Sequence, residues 1–111
     1  FQLGLSNTLV PRAGTRDAFV VTSGSALTAN TWSHLAVTRS GSAWKMFING
    51  TQVATGTDST SFVAGGFASG ALPRSTGNTW FNGYIDDLRI TKGVARYTTN
   101  FTPPTSQLQD Q

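Results

Sequence analysis

The stretch that decides the fold reads Thr31-Trp32-Ser33-His34-Leu35-Ala36-Val37-Thr38-Arg39, Ser40-Gly41-Ser42, Ala43-Trp44-Lys45-Met46-Phe47-Ile48, Asn49-Gly50, Thr51-Gln52-Val53-Ala54. Its first segment alternates, with Leu35 and Val37 on one face and His34, Ala36 and Thr38 on the other. That is the period of a half-buried strand. Ser40-Gly41-Ser42 turns the chain back into a second strand. Asn49-Gly50 turns it again, and both central residues of a type I′ turn need positive φ, which Asn and Gly tolerate. Three antiparallel strands in a meander follow.

Outward from the meander the pattern stays β-like. Phe1, Leu3 and Leu5 alternate with polar or small residues as a strand. Residues 7–15 read as a loop with one apolar patch, Leu9-Val10-Pro11, and Ala18 to Thr22 as a short strand. Beyond the meander, 56–61 is a polar connection, Ser61 to Ala64 a brief strand and 65–77 a long glycine-rich loop. Trp80 to Ile90 reads as the last long strand. Ile85, Leu88 and Ile90 cannot share a face under strict alternation, so the strand bulges near Asp86-Asp87 or turns Ile85 away. Val94 to Tyr97 reads as one helical turn, and Phe101 to Thr105 as an extended exit, because each proline disfavours helix before it. One domain over 1–105 is expected, with 106–111 as a tail or linker.

Composition agrees. The chain has 111 residues and no Glu, and Thr, Val and aromatics are frequent. That mixture favours sheet over helix. The net charge of +3 comes from 8 basic and 5 acidic residues. The basic residues are scattered singly, whereas a nucleic-acid binder gathers them into a stripe, so no nucleic-acid partner is expected. The absence of Cys excludes disulfides and thiolate metal sites and leans towards an intracellular, bacterial or viral origin. No apolar run approaches the ~20 residues of a membrane-spanning helix, so no membrane insertion is expected. A chain that starts inside a strand reads as a piece of a longer polypeptide.

Four segments in order resemble the laminin-G-like jelly-roll domains of the concanavalin-A-like lectin and glucanase superfamily. They are Trp32-Ser33-His34-Leu35-Ala36-Val37-Thr38-Arg39, the Phe47-Ile48-Asn49-Gly50-Thr51 hairpin, Phe81-Asn82-Gly83-Tyr84-Ile85-Asp86-Asp87-Leu88-Arg89-Ile90, and Lys92 to Tyr97 through Asn100 to Pro104. The signature positions are Trp32, His34, Asn49, Gly50, Gly83, Asp86, Arg89, Arg96 and Tyr97. The resemblance implies an all-β, antiparallel two-sheet β-sandwich of jelly-roll type. Members usually have further strands before the equivalent of Phe1, so some N-terminal strands of the full fold are expected to be missing. The ending is similar to copies found in bacteriophage structural and tail-associated proteins.

Candidate chemistry is sparse. Glycoside hydrolysis needs two carboxylates flanking the bond, but the only acids are Asp17, Asp58, Asp86, Asp87 and Asp110. No enzyme is expected. Asp86 reads as an acceptor for nearby backbone or Arg. His34, the only histidine, reads as a strand residue satisfied by a neighbour. No cofactor is expected, although the resemblance brings in calcium, for which Asp17 and Asp58 are the loop carboxylates. A sugar site combines an aromatic platform with polar groups, and Arg74-Ser75-Thr76-Gly77-Asn78-Thr79-Trp80 offers both on a loop. Arg74, Asn78, Trp80 and Asp58 are the candidate ligand residues. The competing reading packs Trp80 into the core beside Phe81, and Trp32 and Trp44 read as core or sheet-face residues. Asn49 and Asn100 match the N-glycosylation acceptor pattern, though Asn49 is already explained by its turn. The expected function is a non-catalytic binding or adhesion module of a phage virion or tail protein that contacts host glycans. The alternative is an architectural module contacting neighbouring structural proteins. Either places the chain on a virion or extracellular surface, within a larger assembly.

Overall fold

The computed structural model describes residues 1–15, 18–62, 71–72 and 79–109. Among these, the regular structure is all β: β1 (Gln2–Leu5), β2 (Pro11–Gly14), β3 (Phe19–Thr22), β4 (Leu35–Ser40), β5 (Ala43–Ile48), β6 (Thr51–Thr57), β7 (Ala71–Leu72) and β8 (Thr79–Trp80). Two three-stranded antiparallel sheets form, in orders β1-β2-β3 and β4-β5-β6, and β7 pairs with β8.

The second sheet is the expected meander. Leu35 pairs with Ile48 and Ser40 with Ala43, while Ile48 pairs with Thr51 across the Asn-Gly turn. Asn49 and Gly50 sit at φ 50° and 81°, the left-handed values that a type I′ turn demands. β6 runs on to Thr57, three residues past Ala54. Its β-branched threonines pair with β5 although their polarity reads as a connection.

The inner faces of the two sheets make the core. Ala13 and Val21 meet Trp44 and Met46, all buried, with Val20, Leu35, Val37, Val53 and Ala54 packed around them. The stacking of two inner faces defines a sandwich. β3 approaches β6 so closely at Gly56 that a Cβ there would overlap the Val20 carbonyl oxygen. Only glycine permits that approach.

The outer face of β4-β5-β6 is covered by a strap, residues 97–103. Thr38 Oγ1 donates to the Tyr97 carbonyl at 2.8 Å and Lys45 Nζ to the Thr98 carbonyl at 2.6 Å. The Gln52 N–H donates to Asn100 Oδ1 at 2.9 Å, and the Phe101 N–H to the Gly50 carbonyl at 2.9 Å. The Tyr97 and Phe101 rings stack 3.6 Å apart and meet Phe47 edge-on.

Several expectations are corrected. Residues 7–15 are not all loop, because Pro11–Gly14 forms β2, the central strand of the first sheet. Pro11 is tolerated as the first residue of its strand. Residues 81–90 form no strand. The Asp86 carboxylate accepts the Asp87 N–H at 2.8 Å, and Asp87 sits at φ 49°, so the backbone kinks where a bulge was expected. No described strand lies alongside to take up the remaining backbone groups. Val94 to Tyr97 forms no helical turn: Gly93 before it is left-handed, the chain bends at Arg96, and Thr38 holds the Tyr97 carbonyl. Ser61 and Phe62 are not in a strand, and Val63-Ala64 lie outside the described residues. Of the 106–111 segment, Gln109 accepts a hydrogen bond from Arg89 through its backbone carbonyl.

Candidate ligand-binding site

At the end of the second sheet that carries the Ser40–Ala43 turn, separate segments build an aromatic rim. Trp44 alternates inward along β5 and is fully buried. Phe1 stacks on it at 6.1 Å, and Phe62 meets it edge-on at 5.9 Å. Phe1 and Phe62 meet edge-on at 6.3 Å. Phe1 remains 61% exposed and Phe62 45%, so their rings face solvent while resting on a buried indole.

Arg39 crosses this rim. Its Nε donates to the Gly41 carbonyl at 2.8 Å and its Nη1 to the Thr60 carbonyl at 2.7 Å. Its guanidinium carbon lies 5.0 Å from the Phe62 ring centre and 5.4 Å from that of Trp44, within cation–π range. Two backbone carbonyls therefore fix the plane of the fork, while Nη2 makes no hydrogen bond to a described residue. A donor held this way loses little entropy when it engages a ligand.

Asp58 sits beneath. Its Oδ1 accepts the Thr60 N–H at 2.9 Å, and its Oδ2 accepts the Thr60 hydroxyl at 3.2 Å. Its backbone accepts Trp44 Nε1–H at 3.3 Å and donates to the Ser42 carbonyl at 2.9 Å. Asp58 thus shapes the turn that presents Thr60 to Arg39.

Of the expected ligand residues, the structure brings only Asp58 into this rim. Arg74 and Asn78 lie outside the described residues. Trp80 ends the β7–β8 pair and is 71% exposed, so it does not pack into the core. Trp32 is 68% exposed, ahead of β4, and is neither core nor sheet face, whereas Trp44 is core as expected. Phe1, Arg39 and Phe62 were not singled out from the sequence. They lie far apart along the chain, and only the sheet register brings them to one end.

The signature residues take structural places. Asn49 Oδ1 accepts the His34 N–H at 2.9 Å, and the Asn49 N–H donates back to the His34 carbonyl at 2.8 Å. Asn100 is likewise engaged, by the Gln52 N–H, so both asparagines of the acceptor pattern already serve the fold. Arg96 Nε donates to Thr91 Oγ1 at 2.9 Å. The Phe81 ring packs over Gly83. Asp86 accepts backbone hydrogen as expected. His34 departs from expectation. Its Nδ1 is buried with no hydrogen-bond partner, and its ring packs edge-on against Phe101 at 5.5 Å and Tyr97 at 6.3 Å. Burial holds its pKa below the usual 6.5.

Calcium wants six to eight oxygens, usually several from carboxylates. Asp58 is turned onto Thr60, and no group of three or more His, Cys, Asp or Glu side chains gathers among the described residues. Asp17 lies outside them. The described residues therefore do not assemble a calcium site.

The described strands make a two-sheet antiparallel sandwich with an exposed aromatic rim at one end. The family profile of laminin-G type, described as the concanavalin A-like lectin/glucanases superfamily, matches residues 2–96. The chain belongs to that family. Neither the curated proteins nor the solved structures compared with the chain give a match.

Proposed function

We propose that this chain is a non-catalytic carbohydrate-binding module whose site is the rim formed by Phe1, Phe62 and Arg39. The observation that carries this reading is the fixed guanidinium lying against the solvent-facing Phe62 ring and the buried Trp44, beside the exposed Phe1 that stacks on the same indole. A sugar presents C–H faces, which pack on aromatic rings, and hydroxyl oxygens, which accept from Arg39 Nη2. Membership of a lectin-containing superfamily supports it. The non-catalytic part rests on the acids. Asp86 and Asp87 are neighbours on a kink, Asp86 is occupied by the Asp87 amide, and Asp58 by Thr60. Among the described acids, none is offered as a free pair across a cleft. Beyond this, the resemblance of the Lys92–Pro104 ending supports a place in a phage virion or tail protein, facing host-surface glycans.

The test is glycan-array binding by the whole chain beside Phe62→Ala, Arg39→Ala and Trp80→Ala. Phe62→Ala and Arg39→Ala should each weaken binding by about tenfold, since ~1.4 kcal/mol per contact is a factor of ten. Trp80→Ala should bind as the parent does. The reverse order would move the site to the β7–β8 hairpin.

A second reading has its own observation. Tyr84 is 87% exposed, and Ile85, Leu88, Ile90 and Val94 are exposed along the same segment. Exposed apolar runs of this kind often mark contacts with other proteins, which fits an architectural module in an assembly. Absence of glycan binding together with self-association in sedimentation would favour it.

A further inference from the structure

The rim is not the only place where the fold leaves a polar group to account for. His34 stands just ahead of β4 with its side chain on the outer face of the second sheet, beneath the strap. Nδ1 is buried and makes no hydrogen bond, and the ring is edge-on to both Tyr97 and Phe101. Those two rings are the strap's apolar anchors, and they cover the buried Phe47. We propose that His34 makes the strap a proton-operated latch, seated while the imidazole is neutral and released when it is protonated, uncovering Phe47 and the outer face of β4-β5-β6.

An imidazolium there would meet unfavourable surroundings. A neutral ring leaves the buried Nδ1 unpaired, a modest cost, whereas a protonated ring would place part of a full charge on that buried, unpaired nitrogen against the Tyr97 and Phe101 rings. The groups around it offer no compensation. β5 contributes Lys45, whose ammonium is held by the Thr98 carbonyl, and the strap contributes the uncharged Tyr97, with Arg96 just before it. β6 has no charged residue. The nearby formal charges are therefore positive, and among the described contacts no carboxylate reaches the ring. Burial alone lowers the His34 pKa. With the released state titrating near 6.5, the strap's seating is intact above that value. It is lost as pH falls through the lower, seated value, because the released state binds more protons.

The seating is also weak enough to be reversed. Four hydrogen bonds, from Thr38, Lys45, Gln52 and Phe101, hold the strap, each of them exchanged against a bond to water on release and so modest in net effect. The inner core of Ala13, Val21, Trp44 and Met46 lies on the other face of the sheet. Release can therefore be local, leaving the sandwich folded.

The test is amide hydrogen exchange by NMR on the whole chain between pH 7.5 and 5, corrected for the intrinsic pH dependence of exchange. Protection of the Gln52 and Phe101 amides should drop several-fold on acidification, while that of Val21 and Met46 holds. In His34→Phe, which keeps an apolar ring, protection of Gln52 and Phe101 should not change with pH. Should that variant not fold, His34→Gln and direct NMR titration of the His34 ring serve instead. A flat response in the parent, an equal drop in His34→Phe or His34→Gln, or a His34 pKa at or above 6.5 would overturn the latch.

Discussion

Gly50 answers to two constraints at once. Its φ of 81° closes the turn with Asn49. A Cβ there would also overlap the Phe101 carbonyl oxygen and lie 3.0 Å from the Pro103 ring. Gly50→Ala should therefore destabilise the chain by ~2 kcal/mol or more, since left-handed strain alone costs about 1–3 kcal/mol. Asn49→Ala should cost about half that or somewhat more, through the lost bond to the His34 N–H and left-handed strain on a residue without a local side-chain bond. Urea denaturation midpoints of the two variants would check both. Gly50 as a turn residue was legible in the sequence. Its role as the floor beneath Phe101 was not, because local pattern says nothing about which distant segment returns to lie on a turn. The same limit hid His34. A single polar residue on one face of an alternating strand reads as satisfied, and only the arrival of Tyr97 and Phe101 leaves its Nδ1 without a partner.

At the scale of elements, β5 is the spine of the second sheet and feeds both of its faces. Trp44 and Met46 point to the inner core, and Phe47 to the strap. Adjacent Met46 and Phe47 are both buried because the inner core covers one face of β5 and the strap covers the other. Met46→Ala should lose ~2–5 kcal/mol, the usual range for emptying a packed apolar site. Phe47→Ala should lose a similar amount and also raise exchange at the Gln52 amide, because it removes the rings' support. Thermal melting with exchange at Gln52 separates the two. β4, β5 and β6 were readable because each alternates and two tight turns fix their register. β2 was not, because Pro-Arg-Ala-Gly carries no alternation. Its strand character comes from neighbours on both sides, through the Leu3–Ala13 and Ala13–Val21 pairs. The error at 81–90 is the converse. Aromatic and β-branched residues are frequent there, but a strand exists only as one side of a ladder, and Asp86 claims the Asp87 amide instead.

Over the whole molecule, the core is small. Among the described residues the buried apolar side chains are Pro11, Ala13, Val21, Trp44, Met46 and Phe47, so a single core change should remove much of a stability that in domains is only ~5–15 kcal/mol. The larger pattern follows from two sheets closing face to face. Residues remote in sequence are carried to one end, and there Phe1, Arg39, Asp58, Thr60 and Phe62 meet over Trp44. The sequence pointed to Asp58 as a loop carboxylate and to an aromatic-plus-arginine combination as the chemistry of a sugar site. It placed that combination on the loop before Trp80, where the residues are contiguous, because contiguity is the only proximity a sequence displays. The proposed ligand-binding surface is the rim. It is tested most directly by titrating the isotopically labelled chain with glycans selected on an array and mapping amide shifts by NMR. Shifts concentrated at Arg39, Gly41, Asp58, Thr60 and Phe62, with Trp80 and its neighbours unmoved, are predicted. Shifts centred on Trp80, with Arg39 and Phe62 unmoved, would contradict it.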